Sequence, residues 1–247
     1  MILKKEQKNY YKVLSLIFLR ALSLSSTWGQ NSSASLPTSF TGVQGTYWGT
    51  SPWGSGNCKF QDWGKPNGPR GLPAIAIAGN LYKGAKYCGG CLEVTSKEGI
   101  TKRGIISDNC PSCPTNALDL SPDLWNSVTN NKSPGIETLS WKLVDCGFKE
   151  NLNLITKDGV SVSWFAMQAA GSNRLVKALE VKPPGSATWL TTNREEYNYF
   201  TLGQNQQFMN NAKTASIKVT CADGRNITTH SVPIDQPQKV TLASGNC

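Results

Sequence analysis

Apolar and polar residues alternate along this chain in short runs, which is the pattern of β-strands. Residues typical of turns separate the runs. Glu98-Gly99 and Asp223-Gly224 predict tight hairpins, and Asp158-Gly159 predicts a further turn. Helical periodicity is scarce and no internal repeat is present. We therefore predict an all-β fold, with strands near residues 91–95, 104–107, 139–144, 162–168, 175–181, 216–221 and 226–232.

The N-terminus has the pattern of a secretory signal peptide. Lysines at positions 4, 5, 8 and 12 precede the apolar run 13–19, which is too short to span a membrane. We predict a signal peptide over residues 1–29 and a disordered linker over residues 30–40, which are rich in Ser, Asn and Thr. Because no later segment could cross a bilayer, we expect a secreted protein of the extracellular space or cell wall.

The remaining length suits two domains of about 100 residues each. Cys146-Gly147 ends one predicted strand, and a short polar connection at 148–153 precedes the next strand pattern. We predict a first domain over residues 41–147, which holds most of the cysteines. A second β domain covers residues 152–247, and a cysteine at position 247 pins its C-terminus.

The charge of the chain restricts its partners. The formal charge is +9, and removal of the leader, which has five basic residues and Glu6, leaves about +5. A basic secreted protein is suited to acidic surfaces such as pectin or other anionic glycans. Nucleic acid is not an expected partner, because the longest basic feature after the leader is Lys102-Arg103 and no known motif accompanies it. We expect no membrane partner and a monomeric protein.

Two interpretations of the cysteines compete. Cys88-x-x-Cys91 and Cys110-x-x-Cys113 have the spacing of a zinc ribbon. The secretory leader, the even number and the four further cysteines favour disulfides instead, so we predict no metal. The predicted disulfide cysteines are Cys58, Cys88, Cys91, Cys110, Cys113, Cys146, Cys221 and Cys247.

Two acidic residues mark a candidate site between residues 106 and 125. Asp119 lies between Leu118 and Leu120, so strict alternation places its side chain on the face opposite the leucines. Asp108 ends an apolar strand-like run. A partly buried carboxyl group beside a second carboxylate can hold its proton near neutral pH, as the acid of a glycosidase must. The alternative is that both acids only satisfy backbone amides of caps and loops.

A short helix is predicted directly after Asp119. Ser121 is suited to the N-cap position, proline at 122 to the first turn, and the acid at 123 to the positive end of the helix.

Other catalytic arrangements are excluded by the residues that the chain contains. His230 is the single histidine, so neither a Ser-His-Asp triad nor a histidine-based metal site is available. No GxGxxG or phosphate-binding loop pattern is present, and we predict no cofactor.

Aromatic residues suggest a carbohydrate surface, because sugar rings stack on flat π faces. Tyr47 and Trp48 lie at the start of the first domain, and Trp164-Phe165 and Tyr197 lie in the second. Adjacent strand residues face opposite ways, so one of Trp164 and Phe165 is expected in the core and the other at the surface, unless a bulge intervenes.

Together these residues resemble the expansin family over most of the chain after about residue 42, and microbial expansins more than plant ones. The resemblance implies a six-stranded double-psi β-barrel followed by an immunoglobulin-like β-sandwich that binds cellulose. The segments that carry it are Gly45-Thr46-Tyr47, Cys88-Gly89-Gly90-Cys91-Leu92-Glu93-Val94, Ser107-Asp108, Ala117-Leu118-Asp119-Leu120-Ser121 and Ser163-Trp164-Phe165-Ala166.

The resemblance also implies roles for particular residues. Asp119 matches the acid needed for wall loosening, and Asp108 and Thr46 match the polar groups beside it. Trp164, Phe165 and Tyr197 match the planar aromatic row that binds cellulose, and Tyr47 and Trp48 are expected to contact substrate in the barrel. The implied disulfides are Cys58–Cys88, Cys91–Cys146, Cys110–Cys113 and Cys221–Cys247.

Three departures from the family pattern bear on function. Cys110 stands where bacterial expansins commonly have a tyrosine, and Phe165 stands where a tryptophan is usual, which keeps stacking but reduces its area. Related endoglucanases have their catalytic base directly after a Tyr-Trp pair, and here that position is Gly49. We therefore expect no hydrolysis, although Asp108 could substitute as a base.

The function expected from the resemblance is non-hydrolytic loosening of plant-type cell walls by a protein that binds cellulose and matrix polysaccharide. Three alternatives stay open at this point: an endoglucanase with the same barrel, a lytic transglycosylase of peptidoglycan, and a pure carbohydrate-binding protein.

Overall fold

The computed structural model describes residues 36–49, 53, 55–60, 63–64, 68–133 and 135–247. The predicted signal peptide lies outside the described residues. Residues from Pro37 to Cys247 form one compact unit. Strands dominate it, as the alternation of the sequence predicts, and no helix of the described residues has both the length and the hydropathy of a bilayer span.

The first half of the unit is a closed six-stranded barrel with the strand order β1-β5-β2-β4-β3-β6. Two short helices accompany it, α1 (Gly79–Tyr82) after β2 and α2 (Pro122–Thr129) after β5. The predicted double-psi barrel is confirmed. Its strands are β1 (Ser39–Tyr47), β2 (Ala74–Ala78), β3 (Cys91–Ser96), β4 (Thr101–Cys110), β5 (Leu118–Leu120) and β6 (Glu137–Val144).

Two of the barrel pairings are parallel, β1 with β5 and β2 with β4. Parallel neighbours need long crossover connections, so the barrel brings together segments that are distant in the sequence. Aliphatic side chains on the barrel strands, such as Ile75, Leu92, Ile105 and Leu118, are fully buried.

The second half is a β-sandwich of two antiparallel sheets, with the strand orders β10-β9-β13-β14 and β11-β12-β8-β7-β15. Its strands are β7 (Asn153–Thr156), β8 (Ala166–Ala170), β9 (Val176–Lys182), β10 (Leu190–Thr191), β11 (Asn193–Arg194), β12 (Phe200–Thr201), β13 (Thr214–Cys221), β14 (Asn226–Pro233) and β15 (Val240–Leu242). Apolar side chains from the inner faces of both sheets form one core.

All eight cysteines form the four disulfides that the family resemblance implies. These are Cys58–Cys88, Cys91–Cys146, Cys110–Cys113 and Cys221–Cys247. The four cysteines of the alternative zinc-ribbon pattern therefore belong to three different disulfides, and the zinc interpretation is wrong.

The structure differs from the sequence predictions at the start of the barrel. The disordered linker was expected to extend to residue 40, but β1 begins at Ser39. The reason is local packing and pairing: the Phe40 ring lies 5.2 Å from the Trp141 ring, and the Thr38 carbonyl accepts a hydrogen bond from Leu143 N.

The helix after β5 begins where the sequence places it, with Ser121 at the N-cap. Its cap differs from the expectation, because the buried Ser121 hydroxyl makes no side-chain capping bond and has no partner among the described residues.

Phe165 is the second correction. The family resemblance places it in the exposed aromatic row, but its side chain is 1% exposed and belongs to the sandwich core. Trp164, its neighbour, is 36% exposed. The chain reverses direction here through an isolated bridge between Ser161 and Trp164, so the two adjacent rings face opposite ways.

The burial of Phe165 predicts effects of very different size for two neighbouring substitutions. Phe165→Ala should lower the free energy of unfolding by about 3–5 kcal/mol, because it leaves a cavity in the core. Trp164→Ala should change it by less than about 1.5 kcal/mol, because that ring is already partly in water. Urea unfolding followed by circular dichroism measures both, and equal losses for the two variants would contradict the placement of Phe165.

Candidate functional site

Asp119 occupies the middle of β5, between two barrel neighbours. It is in register with Thr46 of β1 on one side and with Ala76 of β2 on the other. Leu118 and Leu120 are fully buried and the Asp119 side chain is half-buried on the opposite face. The Thr46 hydroxyl donates a 2.6 Å hydrogen bond to Asp119 Oδ1. The alternation of the sequence thus correctly predicts the outward-facing acid.

Asp108 lies near the end of β4 and is held by backbone amides. Its Oδ1 accepts hydrogen bonds from Asn57 N at 2.6 Å and from Asn109 N at 2.8 Å. Gly56 makes the first of these contacts possible, because a Cβ at that position would lie 2.5 Å from the Ser107 carbonyl oxygen and 2.7 Å from Asp108 Cβ. Asp108 therefore accepts hydrogen bonds from backbone amides of a loop, which is the alternative role that the sequence analysis gives for this residue.

The two acids lie on the same region of the barrel but have different surroundings. Both are in register with Ala76, Asp119 from β5 and Asp108 from β4. With strands about 4.8 Å apart, their Cα atoms are separated by roughly 10 Å. The Asp119 carboxyl group accepts a hydrogen bond from a hydroxyl, and the Asp108 carboxyl group accepts hydrogen bonds from peptide N–H groups.

The pKa of Asp119 is raised above the ordinary value of an aspartate. Burial of the carboxyl group is the largest cause, because it disfavours the charged form. The hydrogen bond from Thr46 opposes this by stabilising the carboxylate, and the negative charge of Asp108 adds to the increase. The site therefore combines a carboxyl group that tends to keep its proton with a second acid that accepts hydrogen bonds from the backbone.

Tyr47, Trp48 and Gly49 follow Thr46 at the end of β1. Tyr47 is 47% exposed, but its ring lies 5.2 Å from Trp125 of α2, on the side of the strand away from Thr46. The structure thus does not bring the Tyr47 ring to the Asp119 carboxyl group. Trp48 is half-buried, and its backbone N–H donates to the Leu120 carbonyl at 3.2 Å. Substrate contact by Tyr47 and Trp48 stays a prediction.

Gly49 is exposed, and a Cβ added to it would meet no heavy atom of the described residues within 4 Å. Packing by those residues therefore does not account for the absence of a side chain at this position.

A second set of candidate residues lies on the sandwich. The exposed Trp164 and the half-buried Tyr197 both face Lys157, whose Nζ lies 5.7 Å from the Trp164 ring centre and 6.0 Å from the Tyr197 ring centre. Tyr199, which is buried, supports Tyr197 from 6.1 Å. The predicted aromatic row thus has two accessible rings, Trp164 and Tyr197, with a lysine beside both.

Sequence reasoning missed Lys157 and Asn57. A signal for Lys157 exists: the predicted turn at Asp158-Gly159 folds the chain back, and Lys157 N donates to the Ala166 carbonyl at 3.0 Å. Asn57 belongs to an irregular segment and contacts Asp108 through its backbone amide, which any residue except proline carries, so no residue type could signal it.

Curated proteins similar to this chain are expansin-like. Expansin-like protein 1 of Dictyostelium discoideum is 30% identical over 200 residues, which are 78% of this chain and 68% of that protein. The chain belongs to the expansin family. Expansin-YoaJ of Bacillus subtilis (strain 168) is 30% identical over 156 residues, 62% of each protein. No family model matches the chain.

Solved expansin structures share the fold. The apo structure of the Clavibacter michiganensis expansin superposes with a TM-score of 0.70 at 21% identity, and the match covers 83% of this chain and 96% of that one. A point mutant of the same expansin, crystallised with cellohexaose, superposes with a TM-score of 0.69. The match extends over both the barrel and the sandwich of this expansin-family chain.

The surroundings of Asp119 predict how its titration responds to substitution. Thr46→Val should raise the pKa of Asp119 further, because it removes the bond that stabilises the carboxylate, and Asp108→Asn should lower it, because it removes a like charge. Carbon-detected NMR titration of the side-chain carboxyl group measures these pKa values. Shifts of the opposite sign, or none, would contradict the assigned contacts.

The same increase in pKa also fixes the sign of the stability change with pH. The folded chain keeps the Asp119 proton over a pH interval in which the unfolded chain has released it, so this residue lowers stability as pH rises through that interval. Asp119→Asn should reduce that loss, which urea unfolding of both proteins across this pH interval measures.

Proposed function

We propose that this expansin-family chain is a secreted protein that binds cellulose and matrix glucan and loosens plant-type cell walls without hydrolysing them. In this proposal the signal peptide covers residues 1–29, the barrel domain (41–147) grips a glucan strand, and the sandwich domain (152–247) holds the protein on the fibril. The protein acts as a monomer in the cell wall, without cofactor or metal.

The observation that carries the proposal is the asymmetry of the carboxyl groups in the barrel. Hydrolysis of a glycoside usually needs an acid on one side of the bond and a base or nucleophile on the other. Asp119 has the raised pKa of an acid. Asp108 has its Oδ1 bonded to two backbone amides, and position 49, where related endoglucanases have their base, is a glycine. We therefore infer that the barrel lacks the base of the hydrolytic pair among the described residues.

Without a base, Asp119 can still form hydrogen bonds with a bound glucan. A protonated carboxyl group donates one hydrogen bond and accepts others. It can therefore take the place of a neighbouring glucan strand as the hydrogen-bond partner of a glucan hydroxyl. Thr46 fixes the orientation of the carboxyl group by its 2.6 Å hydrogen bond. We infer that Asp119 exchanges hydrogen bonds with a bound glucan strand and so weakens the contacts of that strand with its neighbours in the wall.

Support for cellulose as the ligand comes from the two accessible rings of the sandwich. Trp164 and Tyr197 offer flat faces to sugar rings. Each stacking contact contributes about 0.5–1.5 kcal/mol of binding free energy in addition to that of the buried apolar area. A related expansin was crystallised with cellohexaose, which lends the same ligand class to this chain as a proposal.

Loss of the two rings should weaken binding to crystalline cellulose. We expect Trp164→Ala combined with Tyr197→Ala to weaken binding about tenfold or more, as two lost stacking contacts require. A depletion assay on microcrystalline cellulose measures it. Trp189→Ala is the matched control, because Trp189 is also half-buried but packs with Lys182 and Lys218 on the other sheet. Full binding by the double variant would refute the assignment of these rings.

Wall loosening itself is tested by creep of heat-inactivated plant wall strips under constant load. Wild-type protein should extend the strips promptly, and Asp119→Ala should abolish extension while Trp164 and Tyr197 of the sandwich still hold the protein on cellulose. Release of reducing ends by the wild type would support the endoglucanase instead. If the wild type binds cellulose but does not extend the strips, the protein is a pure carbohydrate-binding protein. Release of anhydro-muropeptides from bacterial walls would indicate a lytic transglycosylase.

A further inference from the structure

The segment that joins β4 to β5 connects the two acids of the candidate site. It begins where Cys110 ends β4, two residues after Asp108, and it leads into β5, which holds Asp119. Pairing with β2 is regular over this part of β4, so Cys110 and Asp108 lie on the same face, with Cα atoms roughly 7 Å apart. A disulfide from Cys110 to Cys113 closes the start of the segment into a small ring. This disulfide is therefore part of the surface next to the acids.

Cys110–Cys113 is the most accessible of the four disulfides. Both of its cysteines are half-buried, whereas each of the other six is at most 7% exposed. Thiol–disulfide exchange requires a thiolate to reach a sulfur atom of the disulfide, so access decides which bond reacts first. Exposed disulfides in proteins are accordingly the ones that are labile or regulatory.

The same disulfide closes the shortest loop. Its cysteines are 3 positions apart, against 26, 30 and 55 positions in the other pairs. In the chain-entropy description, a disulfide stabilises the folded state by restricting the unfolded chain, and this effect decreases with loop length. Loss of Cys110–Cys113 should thus destabilise the protein least, and we expect the barrel to stay folded when this bond is reduced.

A separate contact holds the far end of the segment. Asn80 of α1 and Asn116 form a pair of hydrogen bonds: Asn80 Nδ2 donates to Asn116 Oδ1 at 2.8 Å, and Asn116 N donates to Asn80 Oδ1 at 2.9 Å. Trp141 Nε1 also donates to the Asn116 carbonyl at 3.3 Å. These bonds do not involve a cysteine. Opening of the disulfide should therefore release residues 111–115 and leave β5 in place.

The part that would be released is exposed and has few backbone donors. Within the ring, Cys113 N donates to the Cys110 carbonyl at 3.3 Å. The exposed residues of the segment are Pro111, Ser112, Pro114 and Thr115. Its two prolines have no N–H group. Exposed segments with few backbone hydrogen bonds have low local stability, so residues 111–115 can open without unfolding of the barrel.

We propose that Cys110–Cys113 is a thiol–disulfide exchange site for an external dithiol, and that its reduction opens the surface next to Asp108. One thiolate of the dithiol attacks a sulfur atom of the protein disulfide, which breaks that bond and forms a mixed disulfide. The displaced cysteine takes a proton from water. The second thiol of the dithiol, as its thiolate, then displaces the other cysteine, which is protonated in turn. The dithiol is oxidised to a disulfide, and the protein gains the electrons as a pair of thiols.

The exchange is tested by titrating the folded full chain with dithiothreitol and trapping free thiols with iodoacetamide. Mass spectrometry of the peptides assigns each trapped thiol to its cysteine. We expect Cys110 and Cys113 to be labelled at dithiothreitol concentrations that leave the other six cysteines unlabelled. Cys110→Ser with Cys113→Ser is the control, and it should take up no label under these conditions. Labelling of another pair first, or of all pairs together, would overturn the exchange site.

Release of the segment is measured by amide hydrogen exchange with NMR in the oxidised and reduced chain. The Cys113 amide should exchange about tenfold or more faster after reduction, because its bond to the Cys110 carbonyl is lost with the ring. The Asn116 amide should keep its rate. Asn80→Ala is the matched control, which should speed exchange at Asn116 while the disulfide stays closed. An unchanged rate at Cys113, or equal acceleration at Asn116 on reduction, would overturn the local release.

The consequence for wall loosening rests on the proposed function. Cys110→Ser with Cys113→Ser, folded by circular dichroism, should lose most of the wall creep of the oxidised wild type, because a mobile segment next to Asp108 no longer offers a fixed surface to a glucan strand. Equal creep from the two proteins would overturn this effect on the site. If the wild type itself produces no creep, the proposed function is rejected, and alkylation and hydrogen exchange still decide the exchange site.

Discussion

The parallel pairing of β1 with β5 is the constraint on which the candidate site depends. It aligns Thr46 with Asp119, two residues 73 positions apart in the sequence, and the antiparallel pairing of β5 with β2 closes the other side. Leu118 and Leu120 are buried on the opposite face. A shift of the β5 register by one residue would therefore turn the Asp119 side chain into the core. Burial of these two leucines in the apolar core thus fixes the position of the Asp119 carboxyl group.

The electrostatics of the barrel follow from where each acid lies along its strand. Asp119 is in the middle of a short strand with strands on both sides, so its carboxyl group loses water and its pKa is raised. Asp108 lies near a strand end, where an irregular segment supplies peptide N–H groups to its oxygen. Two aspartates on one surface consequently differ in what they can do. The account of a non-hydrolytic protein rests on this difference together with the glycine at position 49.

Most of the architecture could be predicted from the sequence, because burial and alternation act locally. Asp119 between two leucines is a clear example, and the split between Trp164 and Phe165 follows from the same alternation, although the family resemblance pointed the other way for Phe165. The Tyr47 ring, for which the resemblance implies substrate contact, packs on Trp125 of α2. Contacts made by peptide groups could not be predicted: the amide of Asn57 and the carbonyl of Cys58 carry no residue-specific signal, and yet they connect Asp108 to the sandwich.

The claim that wall loosening proceeds without bond cleavage is the centre of the account. It is tested most directly by letting wall strips creep in oxygen-18 water with the wild-type protein. Cleavage of a glycosidic bond by water would place the heavy isotope at each new reducing end, and mass spectrometry of the released and residual glucan detects it. The account predicts full extension with no label above that of strips treated with Asp119→Ala. Incorporation that rises in proportion to extension would contradict it.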